Sequence, residues 1–154
     1  MKFSLLKNYE KGDTYMITKN DFIRIMNTQK EMALATSMDD CPNVRIVNFY
    51  FDATANTLFF TTFGDNEKIK EFESNSKIAF TTIPHEGTEH VKGKAYVEKS
   101  SISVFDIADK FISKIPDYKD TIEQAGMYLV LFQIKVDTAL VILDFDNIDT
   151  INLI

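Results

Sequence analysis

The chain has 154 residues, room for one domain with a sizeable core, and its 45% hydrophobic and 26% charged shares are those of a globular protein. A formal net charge of −6 with no basic stripe argues against general nucleic-acid binding. The single cysteine, Cys41, excludes an internal disulfide and points to a reducing, cytoplasmic setting; Met1–Leu6 has no signal-type apolar core, and no apolar run nears the ~20 residues of a membrane span.

In chain order, Thr18 and Asp21 form a capping-box variant, and Phe22, Ile23, Ile25 and Met26 recur at helical spacing, predicting a helix over 19–29. Glu31–Met38 reads as a strand and Asp39–Asn43 as a turn by residue type. Val44–Asp52 carries Val44, Ile46, Asn48 and Tyr50 on one face and Arg45, Val47, Phe49 and Phe51 on the other, which predicts cover on both sides. Thr57–Phe63 returns as the second arm of a hairpin around Ala53–Asn56. A short helix follows over Asp65–Ser74, then strands at Lys77–Pro84 and His90–Lys99. The amphipathic stretch Ser100–Lys114 stops at Pro116, and a second short helix, Asp117–Ala125, ends at Gly126. Met127–Lys135 and Thr138–Phe145 complete the strands. Antiparallel strands with short turns and apolar residues on two faces predict an α+β, mainly β fold closed as a small barrel, with helices at its periphery.

The segment Val44–Lys68 carries the chemistry. Two aromatic-rich strands lead to Thr61 and Thr62, a glycine turn, and a helix with Lys68 in its first turn. The N-terminal end of a helix bears partial positive charge, so a lysine there is disfavoured unless an anion joins it. A phosphate would be such an anion, held by Lys68, by backbone N–H groups and by the two hydroxyls. Each residue also has an ordinary role. Lys68, between Glu67 and Glu71, reads alone as a solvated charge, and the threonines suit any strand. Arg45 in an apolar strand needs a partner, for which an Asp or Glu elsewhere would serve.

The order of these pieces resembles the FMN-binding split barrels, the fold of pyridoxamine 5′-phosphate oxidase. The resemblance runs from about Phe22 to Asp146. It rests on Met32-Ala33-Leu34-Ala35-Thr36, a turn with Pro42, Arg45-Ile46-Val47, Phe59-Phe60-Thr61-Thr62, Lys68, Ser76-Lys77-Ile78-Ala79-Phe80 and Val91-Lys92-Gly93-Lys94-Ala95. It implies one FMN-binding domain over residues 1–154, a six- to seven-stranded antiparallel Greek-key barrel, and a homodimer with flavin at the subunit interface. By the same resemblance Arg45 approaches the phosphate or the polar edge of the ring, Ile46 and Val47 offer backbone groups to the isoalloxazine, and Thr61, Thr62 and Lys68 meet the ribityl chain and phosphate. Asn66 and Glu67 stand where a serine and an arginine are common, an exchange that weakens phosphate affinity. Thr88 replaces a glutamine, and the chain lacks the Arg- and Trp-containing C-terminal segment that grips pyridoxine phosphates. A true pyridoxamine 5′-phosphate oxidase is therefore not expected.

Other constellations carry less. His85, Glu86, Glu89 and His90 match no structural zinc spacing; near a flavin cleft the histidines could contact substrate or donate a proton, and in an ordinary loop they are solvated. Cys41 has no His or CxxC companion, and the acidic run Asp144, Asp146 and Asp149 lacks the glycine and closing glutamate of a calcium loop. No metal site is expected. The functional expectation is a flavoprotein, an oxidoreductase moving electrons from reduced nicotinamide or another donor to a small-molecule acceptor, nearest to small reductase-like members including the nitroimidazole-resistance type. FMN is favoured over FAD by one phosphate lysine and the lack of a GxGxxG turn; haem and deazaflavin are the other ligands such barrels take. The alternatives are a non-enzymatic flavin- or haem-binding protein for storage, sensing or carriage, and a barrel without ligand.

Overall fold

The computed structural model describes residues 15–154; the segment Met1–Leu6 lies outside the described residues. Helix α1 (Lys19–Thr28) begins where the Asp21 carboxylate accepts the Thr18 N–H at 2.8 Å and Thr18 Oγ1 accepts the Asp21 N–H at 3.4 Å, the reciprocal capping box read from the sequence. Strands β1 (Glu31–Met38) and β2 (Cys41–Asn48) form a hairpin whose turn is Asp39–Asp40 alone, with φ of 51° and 61°. Two left-handed residues match the twist of the flanking strands, so pairing resumes at Cys41. Pro42 is tolerated because β2 is an edge strand.

The stretch Val44–Asp52 is two strands rather than one. At Phe49 the backbone N–H turns to the Lys30 carbonyl at 3.0 Å and the ring is fully buried. Beyond it, β3 (Tyr50–Asp52) pairs with β4 (Thr57–Phe63) instead of β1. Cover on both sides is also not observed within one chain. Val47, Phe49 and Phe51 are buried, whereas Val44 and Ile46 are 64% and 62% exposed.

Helix α2 (Glu67–Ser74), strands β5 (Lys77–Thr82) and β6 (His90–Lys99), and helices α3 (Ala108–Lys114) and α4 (Tyr118–Ala125) follow. Then come β7 (Leu129–Lys135), β8 (Thr138–Ile142) and β9 (Ile148–Asn152). All pairings are antiparallel, in the order β2-β1-β5-β6-β7-β4-β3, with β8 on β6 and β9 on β8. Nine strands among the described residues exceed the six to seven expected, through the break at Phe49 and through β9. In β9 the isoleucines lie among Asp, Thr and Asn, and no alternation flags a strand. Asp144 serves the preceding turn, accepting the Asp146 and Asn147 N–H groups at 2.9 Å.

The barrel interior is filled by Leu34, Phe49, Phe60, Phe80, Val91, Phe132 and Ile134, with α1 and α2 packed against it. A second core lies on the other face of β4 and β7, where Phe59 and Leu131 meet Phe111, Ile115, Tyr118 and Ile122 of the helical segment. The two cores explain why Leu58-Phe59-Phe60 is apolar on both faces. Lys114 ties the helical segment to the barrel: its Nζ donates to the Met26 and Phe49 carbonyls at 2.8 and 3.0 Å and sits 3.6 Å from the Phe49 ring centroid. Burial pushes its ammonium down to about 7.

Gly93 of β6 faces Phe80 of β5 across the sheet, and a Cβ there would lie 2.5 Å from Phe80 Cε1. Since Phe80 is buried, its ring has nowhere to retreat. Gly93→Ala is therefore expected to destabilise the protein by ~1–3 kcal/mol, read as a lower denaturant midpoint at unchanged slope. A midpoint equal to the parent's would show that the ring moves freely.

Candidate functional site

Strand β4 ends in a turn at Gly64–Asp65, fixed where the Gly64 N–H donates to the Tyr128 carbonyl at 3.0 Å. Asn66 then caps α2, its Oδ1 accepting the Lys68 N–H at 3.0 Å. That cap accounts for Asn66, and it engages one of the backbone donors an anion would otherwise find. Glu67 is solvent-exposed and pairs with Lys70 at 3.3 Å.

Lys68 itself is half-buried and forms no ion pair among the described residues. Burial holds its ammonium below the ordinary lysine range, the charge of Arg45 adds to that shift, and Glu71 pulls the other way. Arg45 has the acidic partner that its apolar strand demanded. Its Nη2 donates to Glu71 Oε2 at 2.5 Å and its Nη1 to Thr36 Oγ1 at 2.7 Å. Glu71 also accepts from Thr36 Oγ1 at 2.5 Å and from Asn43 Nδ2 at 3.0 Å. Desolvation alone would raise the Glu71 pKa. The three hydrogen bonds from Thr36, Asn43 and Arg45, together with the guanidinium charge, outweigh it and hold the carboxyl below its usual range.

The two threonines point to opposite faces of β4. Thr61 lies on the helical side, hydrogen-bonded to the Tyr118 hydroxyl. Thr62 lies on the same face as Leu58 and Phe60, which α2 covers; it is 4% exposed and its Oγ1 has no partner among the described residues. Ile46 and Val47 are likewise split, Ile46 on the open outer face and Val47 inward, with the far edge of β2 unpaired among the described residues. A shallow depression of about 410 Å³ opens over β1, β5 and β6, its lining including Ala35, Thr36, Ala79, Lys94 and Tyr96.

The fold therefore gathers Arg45, Lys68 and the sheet edge at one end of β1, with Thr62 on the face that α2 covers. His85 and His90 are not part of that group. Their loop follows β5, where the Ile83 N–H donates to the Glu31 carbonyl, five residues along β1 from Thr36, about 17 Å at the rise of a strand, but next to Met32 and Ala33, the partners of Val47 and Ile46. It is tied down there by paired Arg24–Glu89 hydrogen bonds of 2.7 and 2.9 Å and by Gln29 Nε2 on the Glu89 carbonyl at 2.6 Å. His85 is exposed, while the His90 Nδ1–H donates to the Thr88 carbonyl at 2.6 Å. Glu71, Thr36 and Asn43 were missed from the sequence. Glu71 sits in a helix of alternating charge, where nothing distinguishes a buried carboxylate from a solvated one.

An antiparallel barrel whose central strand exchanges partners, capped by short helices, defines a split-barrel protein. The family model for pyridoxamine 5′-phosphate oxidase-like proteins matches residues 25–147, and the chain belongs to that family. No curated protein matches. Among solved structures, the FAD-binding protein of Mesorhizobium loti superposes with a TM-score of 0.61 at 11% identity, over 80% of this chain and 92% of that one. The General Stress Protein 26 of Bacillus anthracis gives 0.66 at 16%, over 86% and 96%. The haem-binding protein of Mycobacterium smegmatis gives 0.69 at 9%, over 91% of this chain and 60% of that one. At such identities these likenesses show the fold.

Proposed function

We propose that the protein binds FMN and works as an oxidoreductase, passing electrons from a reduced nicotinamide or another donor to a small-molecule acceptor. The observation that carries this reading is Lys68, a half-buried lysine with no ion pair among the described residues and a like charge beside it. A desolvated cation in that setting is stabilised by an anionic ligand. The buried, unpartnered Thr62 hydroxyl offers a second polar group on the face that α2 covers. Lys68 and Thr62 would hold the phosphate, and the backbone of Ile46–Val47 at the free edge of β2 would meet the polar edge of the ring. Bound there, the flavin supplies the two-electron chemistry, so this chain needs no acid–base triad of its own. At this site one cation without an ion pair among the described residues suits one phosphate ester, which favours FMN over FAD. Solved structures of the same fold that bind FAD and haem support a planar cofactor here. This reading makes the protein a small reductase-like member of the family, working in the cytoplasm. Among the described residues no helix is long and apolar enough to cross a membrane.

The exposed Val44 and Ile46, continued by Ala33, Ala35 and Ala79 on the same sheet face, support a homodimer with flavin at its interface. Sedimentation of the FMN-loaded protein is expected to give a dimer, whose interface should bury at least ~1,000 Å². A flavin-loaded monomer would remove the shared site. Lys68→Ala is expected to weaken FMN binding by ~1.5–3 kcal/mol, the worth of a charge-assisted hydrogen bond, while leaving riboflavin affinity nearly unchanged in titrations. Equal losses for both ligands would place the phosphate elsewhere.

A further inference from the structure

Glu71 reaches the cation cluster because of its neighbour in the helix. Phe72 packs into the barrel against Phe60 and Phe132, at centroid separations of 5.8 and 5.0 Å, and this fixes how α2 is rotated. Residue 71 is then turned toward β1 and β2, one helical turn beyond Lys68 on the same side. The carboxylate there is 12% exposed and the Arg45 side chain 14%, so water does little to screen their attraction. Both Glu71 oxygens are engaged, Oε2 by Arg45 and Thr36 and Oε1 by Asn43. The guanidinium that the strand buries is thus already neutralised by a group of the protein itself. A negatively charged ligand group approaching Arg45 would have to displace a carboxylate held by three donors.

We propose that Glu71 sets the anion preference of this site. By holding Arg45 it leaves Lys68 as the cation that meets a ligand, so the phosphate of a flavin adds only one cation's worth of affinity over the uncharged isoalloxazine and ribityl portion. The inference rests on the flavin reading for its choice of probes, and it makes Glu71 a specificity-determining residue that never touches the reacting ring. Removing its charge releases Arg45 to the ligand and leaves two cations for a phosphate.

The test is a titration of the full chain and of Glu71→Gln with FMN, riboflavin and inorganic phosphate. The parent is expected to prefer FMN over riboflavin by about ten- to hundredfold, the effect of one charge-assisted contact. In Glu71→Gln the FMN affinity is expected to rise by about a further ten- to hundredfold, with riboflavin changed by less than about threefold. FMN binding no tighter than the parent's, or weaker, would overturn the proposal and make Glu71 a group that aims Arg45 at the phosphate. If the variant does not fold, the parent decides: a preference for FMN above about a thousandfold would mean that two cations already grip the phosphate. If neither flavin binds the parent, the flavin reading fails separately. Inorganic phosphate followed by calorimetry then decides for Glu71, with tighter binding by the variant expected and equal binding contradicting it.

Discussion

The divided edge of β6 is the constraint on which the rest of the molecule depends. Over Lys92–Tyr96 this strand is paired on one side with β5, while its other side is paired first with β8, at His90–Lys92, and then with β7, at Val97–Lys99. One ten-residue strand therefore belongs to two differently directed parts of the sheet and closes the barrel between them. Closure puts Phe80 of β5 over Gly93, and the absent side chain is what lets the ring lie flat in the interior. The interior so formed gives α2 a surface to pack on, through Phe72 and Ile69.

From the seating of α2 follows the chemistry at the end of β1. An arginine facing the covered side of an edge strand carries a desolvation cost that a fixed carboxylate offsets, and α2 delivers Glu71 for that purpose. Three donors around one carboxylate make the cluster rigid, since each bond fixes the geometry of the next. Lys68, one helical turn earlier, feels Arg45 as a like charge and lacks an ion pair of its own among the described residues. The two cations are thus divided: Arg45 is committed within the chain, and Lys68 stands without an ion pair among the described residues.

Much of the fold could be read from residue types, because the signals were local. The capping box at Thr18, the helical spacing of Phe22, Ile25 and Met26, and the strand at His90–Lys99 depend on neighbours a few residues away. The break at Phe49 depends on a contact with Lys30, and β9 on pairing with β8, neither of which leaves a mark in the local sequence. The site was legible to the same degree. Lys68 was visible as a cation at a helix start, and the need of Arg45 for a partner followed from its apolar strand. The identity of that partner did not, since Glu71 and Glu73 look alike until the rotation of the helix is known. The placement of Thr61 and Thr62 on opposite faces follows from the two-residue period of a strand. The histidine loop is anchored by Arg24 and Gln29, two α1-side contacts remote in sequence that no local pattern shows.

The measurement that bears most directly on this reading is the absorption spectrum of the purified full chain, followed by release of its cofactor and determination of the mass. A flavin spectrum with the released mass of FMN is the predicted result. A Soret band, or a colourless protein that takes up no FMN when the flavin is supplied, would contradict it.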